Sequence, residues 1–176
     1  MKKIICLVML GMMIFCPLAM AAETQQNSYD WEISMQPKPT SDEIEAARWS
    51  FILENNFGVY AYEAESLKAD LKKHRVEAMV KTVFTNEEVL KKLNQTYADK
   101  LENKDKVAYC EMLLVFNPIE KTYAVKGMDV YSKNKVKLEQ RENKVKLVPV
   151  PEKTFAEVML EIATTFYNTQ AEGINK

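Results

Sequence analysis

Hydrophobic and polar positions fall into short alternating runs over the first half of the chain. Trp49, Phe51 and Leu53 alternate with Ser50, Ile52 and Glu54, Asn55, Asn56 and Gly58 interrupt, and Val59, Tyr60, Ala61 and Tyr62 resume a β-rich run. Two strands around an Asn/Gly turn predict a hairpin. A third strand is expected across Val76 to Phe84, after the charged stretch Lys68 to Arg75. The period then changes from two to that of a helix. Thr85 with Glu88 fits a capping box, and Val89, Leu90, Leu93 and Tyr97 follow at helical spacing, which predicts a helix over 86–101. Val107 to Asn117 is the most apolar stretch outside the N-terminal segment, as suits a central strand buried on both faces, and Pro118 ends it. Lys121 to Val125 and Met128 to Ser132 flank an expected turn at Lys126 and Gly127. Phe155, Val158, Met159, Ile162, Ala163 and Phe166 mark an amphipathic helix over 152–170, with Pro151 just ahead. The predicted class is α+β: an antiparallel sheet of about five to seven strands packed by the two helices.

One stretch repeats. NKVKL occurs at Asn134 to Leu138 and again at Asn143 to Leu147. In strands, Val136 and Leu138 point away from Lys135 and Lys137, and Val145 and Leu147 point away from Lys144 and Lys146. Pairing through a turn at Glu139 to Glu142 would put the four ammonium groups on one face, beside Lys133 and Arg141 and against only Glu139 and Glu142. Such a patch attracts anionic partners. Alternating Lys equally keeps a sheet edge wet and unpaired. Tyr60 and Tyr62 also share a strand face, and Tyr123 and Tyr131 lie in the later hairpin. A Tyr-rich face either binds a partner or packs beneath the helices.

The N-terminus changes the picture of where this domain works. Lys2 and Lys3 precede an uncharged apolar run from Ile4 to Leu18, and Ala19, Met20 and Ala21 follow, the pattern of a signal peptide cleaved after about Ala21. The expected location is the periplasm, the cell surface or the extracellular space, with no transmembrane segment in the mature chain. Residues 22–45 read as a polar tether, with a short strand over Tyr29, Trp31 and Ile33, and 46–172 as a single domain. Cleavage would remove two of the 24 basic residues and none of the 25 acidic ones, taking the formal charge from −1 to −3. That balance argues against nucleic acid as a partner. It would also leave Cys110 as the one cysteine, so stability must come from packing.

Candidate chemistry is sparse. His74, the single histidine, sits among Lys72, Lys73 and Arg75 and reads as a solvated loop residue. Cys110 reads as a buried, inert thiol. Glu63, Glu65 and Asp70 lack the spacing of a calcium loop and read as a solvated face. No metal, cofactor or catalytic group is expected.

The segments WSFILENNFGVYAYEAESL, VEAMVKTVF, VAYCEMLLVF, VKGMDVYS and LVPVPEKTFAEVMLEIATTFY, in that order from Trp49 to Tyr167, resemble the surface-adhesin protein E family of Gram-negative bacteria. The resemblance implies a small antiparallel sheet packed by a C-terminal helix, a place in the cell envelope, and binding of host matrix or plasma proteins. Family members often carry a second Cys near the end of the last helix, where this chain has Thr165, Phe166 and Tyr167. The combined expectation is a non-catalytic exported binding domain, with an adhesin for host matrix proteins, plasma proteins or anionic ligands such as glycans as its suggested form. Its contact residues would be Lys135, Lys137, Lys144, Lys146, Tyr60 and Tyr62. The alternatives are a periplasmic assembly protein that dimerises through a sheet edge and, third, a hydrolase.

Overall fold

The computed structural model describes residues 38–174, with the side chains described as far as Gly173. The leader, the cleavage site and the Tyr29, Trp31 and Ile33 strand expected from sequence lie outside them. All the elements below belong to one compact unit beginning at Ser41. They are α1 (Ser41–Arg48), β1 (Trp49–Glu54), β2 (Gly58–Asp70), β3 (Arg75–Phe84), α2 (Glu87–Thr96), β4 (Val107–Asn117), β5 (Thr122–Ser132), β6 (Lys137–Glu142), β7 (Val148–Pro149) and α3 (Phe155–Ile174). The predicted α+β class holds. Each strand from β1 to β6 pairs antiparallel with its neighbour in sequence, and β7 pairs with the start of β5.

One face of this meander carries both helices that close the core. Val76, Ala78 and Val80 of β3 and Leu114 and Phe116 of β4 are buried against Met159, Ala163 and Tyr167 of α3, residues that recur every four positions along the helix. At the other end of the same face, Tyr97 just after α2 closes over Val107, Cys110, Val130 and Leu138. Asn86 caps α2, its side chain accepting a hydrogen bond from the Val89 amide. The expected capping box beginning at Thr85 does not form, because Thr85 and Asn86 both donate their amides to the Phe57 carbonyl and so belong to the incoming connection. The helix ends at Thr96 rather than near 101. Its successors Lys100 and Leu101 bond back to Tyr97 in turns.

Two further expectations fail for identifiable reasons. Lys126 and Gly127 make no turn; β5 runs straight through them, and the register slips there, with Leu113 opposite Gly127 and Leu114 opposite Val125. The slip absorbs one extra residue in the strand. The NKVKL segments are not paired strands either. Lys135 has φ 62, a left-handed turn conformation, so the strand starts only at Lys137 and takes in Glu139 to Glu142, the residues expected to turn. Residues 143–147 form a loop, tied down where the Asn143 amide donates to the Lys126 carbonyl at 2.8 Å. At the N-terminal side, Ser41 to Glu45 fall within α1, although their polar composition reads as tether.

Gly58 begins β2 because nothing larger fits. A Cβ there would lie 2.1 Å from the Val83 carbonyl oxygen. Further along β2 the register breaks between Glu63 and Lys68, and Ser66 repairs the ladder with its side chain, its hydroxyl donating to the Glu63 carbonyl and accepting from the Met79 amide.

Candidate functional site

The residues singled out from sequence disperse. Lys135 pairs with Asp42 of α1 at 2.9 Å, Lys137 pairs with Asp129 at 2.6 Å, and Lys144 and Lys146 stand exposed on the 143–147 loop. The four do not form one face. The aromatic pair instead serves the core: Tyr60 is buried and stacks on Phe155 of α3 with ring centres 4.5 Å apart, and Tyr62 packs against the same cluster. Of the other two, Tyr123 packs on Phe116 and Tyr131 on Tyr109, on opposite faces because the slip in β5 lies between them.

His74 is an exposed turn residue whose Nδ1 lies 2.6 Å from the Tyr167 hydroxyl, so it anchors α3 to the β2–β3 turn. Cys110 is buried, unpaired among the described residues, and its thiol is pushed up to about 11 by burial. It faces Thr82 across the ladder, and the eight residues from His74 to Thr82 span roughly 26 Å of extended chain. The two cannot act together. Glu63 is bonded to Arg48, and Asp70 to Lys73 within its turn. Among the described residues no three His, Cys, Asp or Glu side chains are grouped to hold a metal.

The side chains that do converge lie on the sheet face that α2 and α3 leave free. Directly paired residues share a face, so the registers define cross-strand rows. One row runs Ala61, Lys81, Glu111, Asp129, Gln140, and its neighbour runs Glu63, Met79, Leu113, Gly127, Glu142. Tyr109 and Tyr131 pair in the row on the other side and stack with ring centres 4.9 Å apart. The Lys81 ammonium lies 4.9 Å from the Trp49 ring centre and 4.4 Å from that of Tyr109, and it bonds Glu45 of α1 at 3.0 Å. Trp49 donates its indole N–H to the same carboxylate at 2.8 Å. Lys137 lies over Tyr131.

Beside this aromatic and cationic row a pocket of about 370 Å³ opens between β3, β4, β5, β6 and the 143–147 loop. Its apolar side-chain walls are Met79, Leu113 and Val145. Gly127 forms part of the floor, and its missing side chain leaves room in the row between Leu113 and Glu142. Half-buried Glu111 also lines it, and burial holds that carboxyl above its ordinary value against the opposing pull of Lys81 and Arg48. Sequence reasoning passed over Glu111 although a signal was there: it is the single charge in the strand VAYCEMLLVFN. Lys81 was equally legible as the cation inside β3, alternating with its buried residues. Trp49 was read only as the start of a strand, and no sequence pattern says that a helix from the polar stretch will bring Glu45 above it.

Among the described residues no helix is long and apolar enough to cross a membrane. No family model and no curated protein sequence matches the chain. Among solved structures, Haemophilus influenzae protein E in its crystal form II is a weak structural neighbour, with 13% sequence identity, a TM-score of 0.49, and coverage of 69% of this chain and 91% of that one.

Proposed function

We propose that this chain is an exported cell-envelope protein whose domain is a non-catalytic binding module, with the sheet face opposite α2 and α3 as its contact surface. The observation that carries the reading is the pocket beside an ordered row of Trp49, Lys81, Tyr109 and Tyr131 on a face that no core-forming helix covers. Aromatic side chains held rigid by stacking offer apolar area at little entropic cost, which favours a recognition surface. The leader-like N-terminus supports export, and an adhesin for host matrix or plasma proteins is the form of the proposal that the sequence resemblance suggests. An anionic glycan is a weaker choice of partner, since Lys135 and Lys137 are neutralised and stand apart from Lys144 and Lys146.

Two measurements test this reading. Protease added to intact cells, with a periplasmic protein as protected control, should digest the protein; protection would confine it to the periplasm and end the adhesin form. Replacing Tyr109 and Tyr131 together with Ala should then weaken binding to immobilised matrix protein by at least roughly tenfold, and undiminished binding would move the contact surface elsewhere.

A second reading is favoured by one edge of the sheet. Among the described residues β1 pairs only with β2, and Phe51 on it is 66% exposed, whereas the opposite edge, β6, is the charged segment KLEQRE. Charge guards an edge against strand addition, and β1 lacks that guard at Phe51. Assembly through β1 would appear as a dimer in sedimentation that Phe51→Lys converts to monomer; a wild-type monomer at all concentrations would remove it.

A further inference from the structure

We infer that the pocket beside Glu111 is a binding site for an organic cation, an ammonium group on an apolar stem of about four carbons. The inference rests on the reading of the face opposite α2 and α3 as a recognition surface and says what that surface holds.

The charges around the pocket are unequal once their existing partners are counted. Its two cations are already engaged by carboxylates: Lys126 bonds Glu77 at 2.7 Å, and Arg141 bonds Glu139. Asp129 is taken by Lys137, and Lys81, paired with Glu111 in the ladder, extends instead to Glu45 between the rings of Trp49 and Tyr109. Two lining carboxylates remain. The side chains of Glu111 on β4 and Glu142 on β6 have no hydrogen bond or ion pair among the described residues; Glu142 lies directly across from Gly127, and Glu111 sits two residues along β4 from Leu113, the residue opposite Gly127 on its other side. A half-buried carboxylate without a partner is electrostatically unfavourable, and a charge-assisted bond to an incoming N–H is what offsets it.

The walls select the rest of the ligand. Met79, Leu113 and Val145 offer flexible thioether and branched surfaces suited to a methylene chain. A volume of about 370 Å³ lies at the small end of ligand pockets, near 300 Å³, and admits a short stem but not a large ring system. The same chemistry occurs in a free alkylamine and in a lysine side chain of a partner polypeptide.

The test is an amide-resolved NMR titration of the protein, expressed with its own N-terminal segment, using n-butylammonium, Nα-acetyl-lysine-N-methylamide and uncharged n-butanol. Both cations should give saturable shifts at Leu113, Gly127 and Asp129 where n-butanol gives none. Binding by the lysine derivative as tight as by n-butylammonium assigns the site to a polypeptide side chain, and binding by n-butylammonium alone assigns it to a free amine. Glu111→Gln keeps the side-chain size and should weaken binding roughly tenfold. Gly127→Val should fill the floor and abolish it, in a position where a Cβ meets only the Arg141 carbonyl oxygen at 3.4 Å and the Leu113 Cβ at 4.0 Å. Unaltered binding by Glu111→Gln, an equal response to n-butanol, or no saturation by either cation at about 100 mM would overturn the assignment. Because the probes are small and no cells are used, such a failure would leave the protease and matrix-binding tests of the envelope reading untouched.

Discussion

The phenols of Tyr97 and Tyr109 are held neutral by their surroundings, each pushed up to about 12. Burial is the larger cause for both; Tyr97 also donates its hydroxyl to Glu139, and the Glu111 carboxylate adds to the effect on Tyr109. Their ordinary value is 10.0, so the neutral form is favoured by folding. The stability they contribute is fully present below pH 10 and is lost as pH rises through about 12. A 295 nm titration should show a component rising near pH 12 that Tyr97→Phe and Tyr109→Phe each reduce, with the urea midpoint falling over the same interval. Uniform titration near 10 would contradict both environments. Cys110 follows the same physics. Its thiol is buried and pushed up to about 11, so alkylation at neutral pH reports global opening rather than a reactive site. At this scale the sequence was half legible. The inert thiol of Cys110 and the loop position of His74 could be read from their neighbours, whereas the roles of Tyr60, Lys81 and Glu111 depend on which face each strand presents. That is fixed by packing and not by alternation alone.

Among the elements, α1 is held almost wholly by polar contacts, and none of its residues is buried. Glu45 accepts from Trp49 and pairs with Lys81, Arg48 bonds Glu63 at 2.6 Å, and Asp42 reaches Lys135. The hydrogen bond from Trp49, with Lys81 and Arg48 behind it, holds the Glu45 carboxyl below its ordinary value despite partial burial. The docking contribution is therefore present above that ordinary value of 4.5 and lost as pH falls through the depressed one. Glu45→Gln should speed amide exchange over 41–48 by roughly tenfold while β3 and β4 exchange unchanged. Equal exchange in α1 would mean that something other than these ion pairs seats it. High salt should act in the same direction as acid, by screening. Elements with an apolar stripe were legible beforehand: the first hairpin, β3, β4 and α3 stand close to where alternation and four-residue spacing put them. Those governed by exceptions were not. A slip in β5 replaced the turn at Lys126 and Gly127, a left-handed Lys135 delayed β6, and α1 has too little apolar surface to announce itself.

For the molecule as a whole, two helices cover one face while the other carries only α1 and its ion pairs, and the core depends on the helix that comes last. Met159 is fully buried among Val76, Val80 and Leu114, so Met159→Ala should cost about 3 kcal/mol in chemical denaturation. A loss below about 1 kcal/mol would mean that α3 is not the main cover. The α+β class and the closing helix could be read from the sequence. The face proposed for recognition could not, because it is made of side chains from β1, β3, β4, β5 and β6 that only the registers bring together. The meander has one more consequence. Every strand from β1 to β6 finds its partner within the neighbouring hairpin, so the sheet can zip up progressively as the chain is delivered N-terminus first. Most of its greasy side has no cover until the final twenty-residue helix arrives, since Tyr97 after α2 closes only one end. A nascent chain stalled before Phe155 would thus display a nearly finished sheet with a largely bare underside. Such a stalled chain is a natural client for a holding chaperone and an aggregation seed without one.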